Sequence, residues 1–80
     1  MPKKLSEGLY RALYVKFGAE REVAKINLEA YFSRPVGVAE HPNIVESMDQ
    51  LFEKYCCACE KLERLEADFG HFSGGEDGET

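Results

Sequence analysis

NIVESMDQLFEKYCCACEKLERLEADF, residues 43–69, is the stretch on which the fold turns. Ile44, Met48, Leu51, Tyr55, Ala58, Leu62, Leu65 and Phe69 follow one another at alternating spacings of four and three, which is a heptad-like seam on one side of a long helix. Asn43 stands where an N-cap belongs, and Glu46 completes an N-x-x-E capping box just after Pro42, which disfavours helix in the residue before it. Gly70 predicts the stop. A helix over this stretch runs roughly 40 Å, and propensity alone does not hold such a helix without a surface to cover its seam.

The partner is found upstream. Leu9, Tyr10, Leu13, Tyr14 and Phe17 recur at helical spacing after Ser6, a candidate N-cap, and Val23, Ala24, Ile26, Leu28, Tyr31 and Phe32 resume the pattern after Gly18. A left-handed cap at Gly18 would split this half into helices over 6–17 and 19–32 and give a three-helix domain. A tolerated Gly18 would give one helix, straight or kinked, that matches the second in length. The face Tyr10, Leu13, Phe17, Ala24, Leu28, Tyr31 continues across the glycine with Glu20 off pattern, and an interior glycine costs only about 1 kcal/mol relative to alanine. The continuous form is favoured.

The connector over 33–42 contains Pro35, Gly37 and Pro42 and is longer than a simple helical hairpin needs. Val36 and Val38 within it fit a cap over the hairpin end or a short extended contact. Residues 1–5 read as a flexible N-terminus, 6–69 as the hairpin domain, and 70–80, with four glycines and three acids, as a disordered acidic tail.

The expected fold is therefore all-α, two long antiparallel helices in a hairpin. Val45, Phe52, Cys56 and Cys59 add a second apolar flank to the 43–69 helix, more than one neighbouring helix covers. Two such hairpins can bury it as a four-helix bundle dimer. The contact nominations are Tyr10, Leu13, Tyr14, Phe17, Leu28 and Tyr31 from the first helix, with Met48, Leu51, Phe52, Tyr55, Leu62 and Leu65 from the second.

Size and charge narrow the function. Eighty residues make one domain with a thin core. No run of eighteen apolar residues predicts a membrane span, and Ser6, Glu7, Arg11 and Lys16 interrupt any signal-peptide core, so export is not expected. The net charge of −5 divides into +3 over residues 1–35 and −8 over 36–80. That asymmetry can orient the basic segment against the acidic helix and argues against a broad nucleic-acid surface. The candidates for such a surface, Arg11, Lys16, Arg21 and Lys25, fit no helix-turn-helix or zinc-finger spacing. The carboxylates of the second helix, interrupted by Lys54, Lys61 and Arg64, read as a solvated face, with Glu60 and Arg64 in the favourable i,i+4 order.

Cys56, Cys57 and Cys59 are an odd, crowded set on one predicted helix, unlike a secreted disulfide framework, and point to a reducing, cytoplasmic setting. Cys56 and Cys59 lie one turn apart and offer two thiolates. A structural metal site would need two more ligands, and His41 and His71 fall near opposite ends of the helix. Packing of reduced thiols is the simpler reading. No Cys–His pairing or Gly-rich anion hole suggests nucleophilic catalysis, and the adjacent Glu40 and His41 are a weak acid–base pair. The expectation is a non-enzymatic interaction or regulatory accessory protein without a cofactor, acting as a homo-oligomer and open to a further protein partner. A nucleic-acid regulator and a cysteine-based metal or redox module are the alternatives.

Overall fold

The computed structural model describes residues 2–33 and 43–74, with side chains over 4–33 and 43–74. Helix α1 spans Pro2–Ser33 and helix α2 spans Ile44–Phe69, followed by a 3-10 turn over Gly70–Ser73. The hairpin measures 57 × 17 × 16 Å. It is a rod two helices thick. The expected connector residues 34–42, with Val36, Val38, Glu40 and His41, and the tail residues 75–80 lie outside the described residues.

α1 is continuous through Gly18, which resolves the choice the sequence left open. A Cβ at Gly18 would meet nothing within 4 Å, so no neighbour forces a break, and packing on both sides of the glycine outweighs its modest propensity penalty. α1 also begins at Pro2, ahead of the anticipated cap at Ser6. Proline suits a first helical position, where its missing N–H has no partner to lose.

α2 runs antiparallel to α1. Lys61 sits over the Phe17 ring, 5.2 Å from its centroid, and near Glu20, 4.0 Å away. Toward the connector, Tyr31 borders a groove with Ile44 and Leu51. The predicted 43–69 seam meets α1 over most of its length: Ala58, Leu62 and Leu65 are buried and Ile44, Met48, Leu51 and Tyr55 half-buried, while Phe69 at its end is exposed. With Ala24 and Leu28 of α1, the buried Ala58, Leu62 and Leu65 make a core of five among the described residues. Alanines at 24 and 58 let the two helices approach closely in mid-hairpin.

Local details depart from the sequence reading. Asn43 occupies the N-cap position but makes no side-chain cap hydrogen bond; its backbone carbonyl accepts from the Ser47 N–H at 3.0 Å. The capping box is therefore absent, and the first turn is held by backbone alone. Arg64 does not pair with Glu60 but donates to Asp68 at 3.1 Å, since an arginine flanked by acids at i−4 and i+4 can reach either. Gly70 is right-handed (φ −61°), so the chain tightens into the 3-10 turn and reverses only at Gly74 (φ 79°). That turn packs back against the start of α1.

Candidate interaction surface

The chemistry-bearing residues do not converge on a pocket. Cys56 and Cys57 are exposed, Cys59 is half-buried, and all three are free thiols. Among the described residues, no group of three or more His, Cys, Asp or Glu side chains is arranged to hold a metal ion. Cys56 and Cys59 share a side of α2, as their spacing requires, without a third donor beside them.

The basic candidates are also divided. Lys16 donates to Glu20 at 2.6 Å, and the Arg21 Nε lies 3.9 Å from the Glu22 carboxylate. Arg11, Arg21 and Lys25 fall within an arc of about 80° on α1, while Lys16 points the other way. With Lys16 on one side and Lys61 on the other, the Glu20 carboxyl is held below the usual carboxylate range, chiefly by the Lys16 hydrogen bond.

The contact nominations separate into three groups. Leu28, Leu62 and Leu65 are buried between α1 and α2 and hold the hairpin itself together, so they are unavailable to a partner. Tyr10, Phe17, Tyr31, Met48, Leu51 and Tyr55 are half-buried along the edges of the seam. Leu13, Tyr14 and Phe52 are exposed. Tyr10 and Tyr14 stack with ring centroids 6.2 Å apart, and Phe52 meets Tyr55 edge-on at 6.1 Å. Partial burial beside Glu66 and Tyr14 pushes the Tyr10 phenol above its ordinary value, desolvation being the larger cause.

The sequence reading passed over two features. An open apolar groove lies between the first half of α1 and the end of α2, lined by Leu9, Leu13, Phe17, Leu65, Phe69 and Phe72, with Lys61 and Arg64 at its rim. The i,i+4,i+8 row Leu9, Leu13, Phe17 is its sequence signal, but the 3-10 turn that adds Phe72 to the groove left no periodic trace. The second feature is the extent of uncovered apolar surface: Leu5, Leu9, Val15, Val23, Ile26, Phe32 and Val45 are all more than half exposed. No helix among the described residues is long and apolar enough to cross a membrane. Comparisons with protein-family models, with curated proteins and with solved structures find no match.

Proposed function

We propose that this chain is a non-enzymatic helical interaction module that works as a homo-oligomer in a reducing compartment. The observation that carries the reading is the imbalance between core and exposed apolar surface. Among the described residues, five are buried, while twelve large hydrophobic side chains stay exposed. Scattered exposed leucines are ordinary, but contiguous apolar rows along a two-helix rod are the usual mark of an interaction surface. The free thiols fit a setting where reduced cysteine persists. The ion-paired lysine and arginine on α1 weaken the nucleic-acid alternative.

The test is solution mass by size-exclusion chromatography with light scattering, in reductant, with and without EDTA. A mass near twice the 9.0 kDa of one chain, unmoved by chelator, is the expected result. A single-chain mass at every concentration overturns the homo-oligomer. A dimer that dissociates in EDTA would transfer its cause to a cysteine-held metal.

A further inference from the structure

α1 carries a second seam. Leu5, Leu9, Ala12, Lys16, Ala19, Val23, Ile26 and Ala30 alternate spacings of four and three without interruption, the pattern of a coiled-coil face. Each of Ala12, Ala19 and Ile26 falls two residues beyond an α2-facing position, Tyr10, Phe17 and Ala24, hence about 160° around the helix. Every one of the eight is exposed, with Leu5, Leu9, Val23 and Ile26 at 58–66% of full exposure. Only Lys16 is polar. Its ammonium is drawn off the stripe by Glu20 at 2.6 Å, leaving its aliphatic stem on the apolar line.

We propose that this stripe is covered by the same stripe of a second copy, α1 against α1 in antiparallel orientation about a twofold axis near residues 17 and 18. The inference rests on the self-association reading above and names its interface. The stripe is self-complementary only in that orientation. Antiparallel pairing centred there sets Leu5 against Ala30, Ala12 against Val23 and Lys16 against Ala19, a large side chain opposite a small one each time, with Leu9 against Ile26. Alternating large and small residues let layers interdigitate without voids. A parallel pairing in register would instead set Ala12 on Ala12, leaving a gap, and Lys16 on Lys16, two like charges in contact.

Charge supports the same choice. On the flank of the stripe that carries Val15, the bases Lys4 and Arg11 lie in the first half of α1 and the acids Glu22 and Glu29 in the second. In the antiparallel register Lys4 of one copy and Glu29 of the other, and likewise Arg11 and Glu22, come within two residues of the same level, about 3 Å along the axis, a gap the long basic side chains span. An isologous interface of this kind closes at two copies.

Two measurements decide the matter. In the full chain, Val23→Glu with Ile26→Glu places four carboxylates in the interface of a dimer and replaces two exposed side chains, not residues of the buried core. Light scattering should drop from twice the chain mass to the chain mass, with helical circular dichroism retained. Separately, in a chain with Cys56, Cys57 and Cys59 replaced by serine, Ala12→Cys with Val23→Cys should oxidise to a covalent dimer, while Ala12→Cys alone should not. A dimer whose mass survives both glutamates overturns this interface and leaves self-association standing. Rapid cross-linking of Ala12→Cys alone overturns the antiparallel register. A single-chain mass for the unmodified protein overturns both readings and hands the stripe to a different partner.

Discussion

Gly18 and Gly74 are glycines with opposite structural meanings. Gly18 lies inside α1 in helical conformation, and a Cβ there would meet nothing within 4 Å. Gly18→Ala should therefore stabilise the protein by about 0.5–1 kcal/mol, mostly by restricting the unfolded chain, and urea midpoints should rise accordingly. Gly74 has φ 79° and faces the Glu7 side chain where a Cβ would project. Glu7 is long enough to swing aside, but the left-handed backbone is not relieved. Gly74→Ala should cost about 1 kcal/mol, seen as faster amide exchange across Gly70–Ser73 with α1 and α2 little changed. Glu20 provides a pH signature. Its carboxyl is depressed by the Lys16 hydrogen bond, so its stabilisation is complete above the unfolded carboxylate range, near about pH 4.3, and is lost as pH falls through the lower folded value. Glu20→Gln should flatten that part of the acid limb when unfolding midpoints are followed from neutral pH downward. The change should be small, because the pair is exposed to solvent.

At the level of the helices, α2 depends on its buried row. Leu62 is 7% exposed between Ala58 and Leu65, and Leu62→Ala should cost about 2–4 kcal/mol, a large share of what so thin a core can supply. Val15→Ala, on the outer side of α1, should shift the urea midpoint hardly at all in comparison. The same contrast explains what could be read from the sequence. The α2 seam was legible because it serves one partner, so its four-three spacing coincides with burial at Ala58, Leu62 and Leu65. α1 was harder, since its apolar residues serve two sides: Tyr10, Phe17 and Ala24 mark the α2-facing side, while Ala12, Ala19 and Ile26 continue a second row behind it. A pattern search that stops at the first stripe leaves the second unassigned. The terminal details were illegible for a different reason. Asn43 matches a capping box by residue type, yet whether its side chain turns back to the first turn depends on the backbone before it. Phe72 joins the groove only through the 3-10 turn, a geometry without a distinctive sequence period.

For the whole molecule, the question is whether the hairpin's stability is its own. A rod of 57 × 17 × 16 Å with a core of five among its described residues has a high ratio of surface to interior, and domains of this size have little stability to spare. Pairing α1 with α1 would cover Leu5, Leu9, Val23 and Ile26 and add their burial to the folded state alone. Unfolding would then be coupled to dissociation, so mass action would apply. A hundredfold rise in protein concentration shifts such an equilibrium by about 2.7 kcal/mol, which for a dimer of this length raises the melting temperature by roughly 5–10 °C. Calorimetry in reductant over that concentration range should show the rise in the unmodified chain. Val23→Glu with Ile26→Glu should melt lower and at a temperature independent of concentration. A concentration-independent melt of the unmodified chain, at a temperature the double variant shares, would mean the two-helix rod folds alone and its outer stripe contributes nothing to its stability.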